Sequence, residues 1–187
     1  MGLFDKFKKK RTAVEEESAV DSQGAMGPDS VDAVLGENTV CAPVTGTVIA
    51  MSEVPDPVFS TELLGAGCAV WPEEDCVYAP VSGSVTVKMD HAVGIRAASG
   101  IEVLVHCGID TVSLDGKGFV GFVEQGDEVE AGQPILKMDR SCIAAAGYKD
   151  CVVVAVSNTA EFARVDLAVE AGSHVRAGAS AIEVTRA

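Results

Sequence analysis

From about residue 38 to the end, the chain alternates short apolar runs with turn-forming residues. Val103-Leu104-Val105 and Cys151-Val152-Val153-Val154-Ala155-Val156 have the length and β-branched content of strands, and glycine, proline or aspartate closes most such runs. Two stretches are repeated in kind. Ala42-Pro43-Val44-Thr45-Gly46-Thr47-Val48 is echoed by Ala79-Pro80-Val81-Ser82-Gly83-Ser84-Val85, and Gly126-Asp127-Glu128-Val129-Glu130-Ala131-Gly132 by Gly172-Ser173-His174-Val175-Arg176-Ala177-Gly178. Only Ser141–Gly147 holds the makings of a helical turn. Short strands and paired turns predict an all-β fold, an antiparallel β-sandwich or barrel with pseudo-symmetric repeats. The spacing of the echoes is irregular, so a solenoid is not implied.

The pattern fails upstream. Residues 12–37, with Glu15-Glu16-Glu17, Gly24, Gly27 and Pro28, lack periodicity and read as a disordered linker. Residues 1–11 set Leu3, Phe4 and Phe7 at helical spacing among lysines, which fits either a flexible solvated tail or a short basic helix on anionic lipid. The folded domain is expected over residues 38–187. No apolar run approaches the roughly 18 residues of a membrane span.

Composition narrows the class. A chain of 187 residues, 48% hydrophobic, suits one domain plus a tail. The net charge of −14 argues against a nucleic-acid partner, for which a basic footprint is expected. Residues 1–11 carry +4, so the remainder carries −18, which serves solubility or steers basic partners. Six cysteines without a secretory signal read as free cytosolic thiols, and no CxxC spacing suggests a zinc knuckle. His174 lies in a polar turn, where its echo partner is Glu128, and is expected to be exposed and outside any site.

The candidate chemistry lies in Gly100–Val112, which reads as a buried strand ending near His106 and breaking at Gly108 and Asp110. A preceding strand starts at His91, and Ser99-Gly100 is a turn dipeptide between the two. A hairpin with Ser99 and Gly100 as its loop pairs Ala98 with Ile101 and sets Val93 opposite His106. His91 then lies diagonally across from His106 on one face, with Cα atoms about 7–8 Å apart. A one-residue slip would put the two on opposite faces. Two converging imidazoles suit metal binding, or phosphoryl transfer by a neutral ring whose charge-bearing product the second ring stabilises. The residues alone leave both open, with metal the more frequent use.

Val105-His106-Cys107-Gly108-Ile109-Asp110-Thr111-Val112 resembles the active-site strand of glucose-type enzyme IIA components of the bacterial phosphoenolpyruvate-dependent sugar phosphotransferase system. The likeness extends to Val54-Pro55-Asp56-Pro57-Val58-Phe59, Tyr78-Ala79-Pro80-Val81-Ser82-Gly83, His91-Ala92 and Gly116-Lys117-Gly118-Phe119, in family order over about residues 38–187. Met1-Gly2-Leu3-Phe4-Asp5-Lys6 looks like the start of a stand-alone member.

The resemblance implies a flattened antiparallel β-sandwich and a phosphoryl relay. His106 is the implied phosphate acceptor, receiving from the phosphocarrier HPr and passing to a cysteine of an enzyme IIB or IIBC sugar permease. His91 is the implied stabilising donor, and no cofactor, metal or nucleotide is required. Asp56, Val58 and Phe59 line the implied docking depression, and Asp110 sits at its rim, facing a partner's arginine. Gly108 permits a tight backbone whose carbonyl is suited to hold His106 Nδ1–H, leaving Nε2 for phosphorus. The implied setting is the cytoplasm, with the N-terminal tail able to touch the inner membrane face.

One position departs from the pattern. Family members usually carry Thr two residues before the first histidine, where this chain has Met89, so weaker transfer or a rearranged site is expected. Two other readings compete. A zinc-binding β-domain using His91 and His106 falls one ligand short of a catalytic set, which leaves room only for a non-catalytic zinc shared with a partner protein. A biotinyl or lipoyl carrier domain has candidate lysines at Lys88-Met89 and Lys137-Met138, but without the Met-Lys-Met flanks expected for biotin.

Overall fold

The computed structural model describes residues 28–34 and 36–186. Its strands are β1 (Thr39–Cys41), β2 (Gly46–Ala50), β3 (Ala66–Pro72), β4 (Cys76–Tyr78), β5 (Gly83–Lys88), β6 (Ala92–Ala97) and β7 (Glu102–Ile109). The second half adds β8 (Phe119–Gly121), β9 (Glu128–Val129), β10 (Pro134–Met138), β11 (Lys149–Val156), β12 (Arg164–Leu167), β13 (His174–Val175) and β14 (Ser180–Thr185). One large sheet runs β13-β2-β3-β11-β7-β6-β5-β9, and two small ones run β1-β14-β12 and β4-β10-β8. All neighbouring strands are antiparallel.

One face of the large sheet packs against the two small sheets. Val48, Cys68, Val70, Val105 and Val154 from the large sheet meet Val40 and Ile182 from one small sheet and Val77, Ile135 and Leu136 from the other. Burying each such aliphatic side chain contributes roughly 1.5–3 kcal/mol. The sandwich expected from the alternating pattern is therefore present. The opposite face is covered only locally, by Met51, Val54 and Phe59 over Ala69, Val153 and Ala155. That double cover explains why β11 is apolar at successive positions: even residues enter the sandwich, and odd ones lie beneath the local cap.

The two sequence echoes are one pseudo-two-fold. Gly46 and Thr47 pair with Val175 and His174, just as Gly83 and Ser84 pair with Val129 and Glu128. Gly178 N–H donates to Ala42 O, and Gly132 N–H to Ala79 O, each at 2.9 Å.

Three expectations need correction. First, the β6–β7 loop has three residues, not two: Ala97 N–H bonds Ile101 O at 2.9 Å, and Gly100 takes φ +89°. Ala92, not Val93, therefore faces His106. A third loop residue with a left-handed glycine matches strand twist as well as a two-residue turn does. Second, Ser141–Gly147 is not the only helical stretch. A turn of helix, α1 (Pro57–Ser60), precedes α2 (Arg140–Ala145). Asp56 caps α1, accepting from Val58 N–H at 2.7 Å and Phe59 N–H at 3.3 Å, with proline at the first turn. Third, part of the expected linker lies against the domain. Val31 N–H donates to Gly132 O and Val34 N–H to Gly178 O, each at 2.9 Å, across the two echoed glycine turns. With no Cβ there, those turns admit the Val31 and Asp32 carbonyls closely. The basic amphipathic stretch at residues 1–11 lies outside the described residues.

Candidate active site

The register sets a row across the outer face: Ile49, Ala69, Val153, His106 and Ala92 face one another on successive strands. His106 thus stands on the outer face of the sheet, next to the local cap, while Val105 and Cys107 point into the sandwich. By strict alternation His91 would share the inner face with Val93. It escapes because Asp90 and His91 form a bend outside the ladder, where Met89 N–H bonds Ala92 O at 2.8 Å. The His91 carbonyl still accepts from Cys107 N–H at 2.8 Å, so its backbone is pinned while its ring swings to the outer face. The register slip and the bend compensate, and the two imidazoles meet edge to face with centroids 4.8 Å apart at 78°.

Two aromatic rings frame the pair. Phe59 lies 5.0 Å from the His106 ring, and Phe119 6.4 Å from that of His91. Phe59 is only 5% exposed, so it forms the wall of the site rather than an outward-facing contact. Val58 beside it is 39% exposed, and Met89 and Val112 share a shallow cleft with Asp90, His91 and Gly116. A larger cavity, about 680 Å³, opens near Thr39, Ser82 and Ser99 and contains no imidazole.

His106 Nδ1 lies 2.9 Å from Gly108 O. A carbonyl only accepts, so this contact selects the tautomer with hydrogen on Nδ1 and leaves the Nε2 lone pair free. Burial first and the neighbouring His91 second lower the His106 pKa, and against the Gly108 hydrogen bond and the carboxylates of Asp56 and Asp110 the balance leaves it at about 4. Burial also lowers the His91 pKa, partly offset by Asp90. Both rings are therefore neutral near pH 7.

Asp110 is exposed and left-handed, at φ 60°, and its side chain makes no capping hydrogen bond to the turn that follows. Gly108 is also left-handed, at φ +79°. Asp56 is engaged as the helix cap described above. His174 is exposed and lies 3.2 Å from Glu73, far along the large sheet's order from His106. Phe119 and Thr111 join the surroundings of the histidines without having been singled out. Thr111 lies in the stretch Val105–Val112 and Phe119 in Gly116–Phe119, but nothing local to either residue marks it. Among the described residues, no three His, Cys, Asp or Glu side chains are grouped to hold a metal ion. For the zinc reading, no third ligand joins the two imidazoles among the described residues. Among the described residues no helix is long and apolar enough to cross a membrane.

Fold and site together define an all-β sandwich domain with a shallow two-histidine centre on its outer face. The family model for the phosphoenolpyruvate-dependent sugar phosphotransferase system, EIIA 1, matches residues 38–162. The glucose-specific EIIA component of Bacillus cereus is 38% identical over 125 residues, 66% of this chain and 76% of that protein. The beta-glucoside-specific EIIBCA component of Bacillus subtilis is 45% identical over 123 residues, 65% of this chain. This chain spans only 19–24% of the length of such EIIBCA and EIICBA relatives. Among solved structures, the glucose permease IIA from Mycoplasma capricolum matches with TM-score 0.66 and 36% identity, over 77% of this chain and 93% of that one. The chain belongs to the EIIA 1 family of that phosphotransferase system and is of the glucose type.

Proposed function

We propose that this protein is a phosphoryl relay in which His106 Nε2 is the acceptor. The Nε2 lone pair attacks the phosphorus carried on a histidine of HPr. The new N–P bond forms as the old one breaks, and the bonding pair returns to the donor ring. A cysteine thiolate of a sugar-specific enzyme IIB then attacks the same phosphorus, and the N–P pair returns to His106. On this reading neither step needs a metal or a nucleotide. Relatives in which EIIA is fused to EIIB and EIIC support the second partner.

The observation that carries the reading is the 2.9 Å contact from His106 Nδ1 to Gly108 O, which leaves Nε2 unprotonated beside His91. A buried neutral imidazole needs no separate base to attack phosphorus. As charge spreads over the equatorial oxygens of the transferring group, His91 4.8 Å away is the natural hydrogen-bond donor. Asp110, unengaged at the rim, and Asp56 and Val58 at the cap complete the surface on which partners dock, with Phe59 as the buried wall behind it.

The test is intact mass after incubation with phosphoenolpyruvate, enzyme I and HPr, comparing wild type with His106→Gln. One acid-labile, alkali-stable phosphate on wild type alone is expected. No phosphate on wild type with active partners overturns the relay, and phosphate on both proteins moves the acceptor to another residue, His91 first.

A further inference from the structure

We propose that Thr111 is a positioning residue that fixes the tautomer of His106, acting through the Cys107–Gly108 peptide. The consequence for phosphoryl transfer rests on the relay reading above. The tautomer itself does not, and is measurable in the free protein.

Among the described residues, only His91 and Thr111 are polar and buried, and Thr111 is 1% exposed. A hydroxyl so enclosed needs a partner, and Thr111 Oγ1–H donates to Cys107 O at 2.6 Å. The methyl group acts on the next residue. A Cβ built on Gly108 would collide with Thr111 Cγ2 and come within 3.2 Å of its Oγ1, so the threonine lies directly against the Gly108 backbone. One side chain therefore clasps both halves of this peptide, the hydroxyl on its carbonyl and the methyl on the following Cα.

The clasp matters because the ladder does not hold this point evenly. Ile109 pairs with Lys149 but Cys107 pairs with Val152, so the β7–β11 register shifts at Gly108. Glycine has the widest backbone freedom of any residue, and this one sits at φ +79°. With the Cys107–Gly108 peptide unclasped, rotation about Gly108 would carry the next carbonyl, Gly108 O, away from His106. The 2.9 Å contact with Nδ1 would then be intermittent, and neutral imidazole would exchange between Nδ1–H and Nε2–H forms. An Nε2–H ring presents no lone pair outward.

The test reads ring tautomers by 15N NMR near pH 7 in folded full-length protein, alongside the rate of phosphate uptake from phospho-HPr. Wild type should show a single Nδ1–H form of His106. Thr111→Val keeps the shape and loses the hydroxyl; it should show mixed tautomers and about a tenfold slower uptake, the scale of lost outer-shell orientation. Thr111→Ser keeps the hydroxyl and should restore the wild-type tautomer. If Thr111→Val does not fold, Thr111→Ala gives the same reading. A folded Val or Ala variant with an unchanged Nδ1–H ring overturns the proposal, whereas mixed tautomers in Thr111→Ser as well as in Thr111→Val would show that both halves of the clasp are needed. Mixed tautomers in Thr111→Val, with no phosphate uptake even by wild type, would sustain the positioning role and sink the relay instead.

Discussion

Phe59 lays its ring against the His106 imidazole, centroids 5.0 Å apart and planes tilted by 59°. The contact ties the capping turn α1 to the functional strand, and it removes water from one side of the ring. Burial is the main reason that the His106 pKa is lowered to about 4. Phe59→Leu should therefore raise that pKa toward the ordinary value of about 6.5. Titration of the ring by NMR checks this, and an unmoved pKa would assign the burial to other neighbours. Phe59→Ala is the poorer probe, since loss of a buried phenyl costs about 3–5 kcal/mol.

The lowered pKa has a stability consequence with a definite sign. His106 in the fold binds its proton more weakly than in the unfolded chain, where the pKa is about 6.5. Between pH 6.5 and about 4 the unfolded state holds more protons, so stability falls as pH is lowered through that window and this contribution levels off below it. His91, shifted in the same direction, adds to the slope. Measured by chemical denaturation, the stability of wild type relative to His106→Gln should be constant above about pH 6.5, fall as pH drops toward about 4, and level off below that. The acid limb of phosphate uptake should likewise lie well below pH 6.5, because the ring stays unprotonated there.

Gly108 and Gly100 separate two reasons for a glycine. Both have positive φ, +79° and +89°. A Cβ on Gly100 meets nothing within 4 Å, whereas one on Gly108 collides with Thr111 Cγ2 and lies 3.0 Å from Lys149 O. Gly100→Ala should cost only the backbone strain of a left-handed residue, about 1 kcal/mol. Gly108→Ala should cost more and also disturb the His106 ring. Chemical denaturation of the two variants measures the difference, and equal losses would mean that the clasp around Gly108 yields easily.

The strand carrying His106 was readable because its alternating buried positions and the Gly108 break are local features. The pseudo-two-fold was readable for the same reason, since Ala42-Pro43 and Ala79-Pro80 repeat both turn and strand. Register was not, because Ala98-Ser99-Gly100 accommodates either loop length and only packing decides. The convergence of His91 and His106 came through that error because the Asp90–His91 bend, invisible to alternation, turns the ring over. Phe59 shows the other limit. Its burial under α1 depends on Ala69, Val153 and Ala155 from distant strands, which no local pattern contains. Val31 and Val34 are held through backbone hydrogen bonds to Gly132 and Gly178, which leave no hydrophobic signature at all.

His91 and His106 should fail differently when replaced. Their rings touch, but only His106 has its Nδ1 held by a carbonyl and its Nε2 left free. His106→Gln should abolish phosphate uptake. His91→Gln should retain part of the uptake and slow onward transfer, where a donor to the transferring oxygens matters most. Single-turnover assays with HPr and then with enzyme IIB separate the steps. Identical behaviour of the two variants would show that the roles are shared rather than divided.

Met89 stands where the resemblance implies a threonine, and its place in the structure makes the expected effect specific. Its side chain is 53% exposed and lines the cleft that holds His91, Asp90 and Val112. A thioether there offers no hydroxyl to the His91 ring or to a phosphoryl group, and it widens the apolar lip shared with Val112. Nothing buried depends on the residue, so Met89→Thr should leave stability nearly unchanged, as exposed substitutions usually do. It should speed transfer from phosphorylated His106 to enzyme IIB, by supplying a hydrogen bond made to the group in flight rather than to the resting site. An unchanged rate would mean that another polar group of the cleft, such as Asp90 next to His91, already serves. A slower rate would assign the apolar lip itself to partner docking, because threonine would then remove contact area without repaying it in transition-state stabilisation.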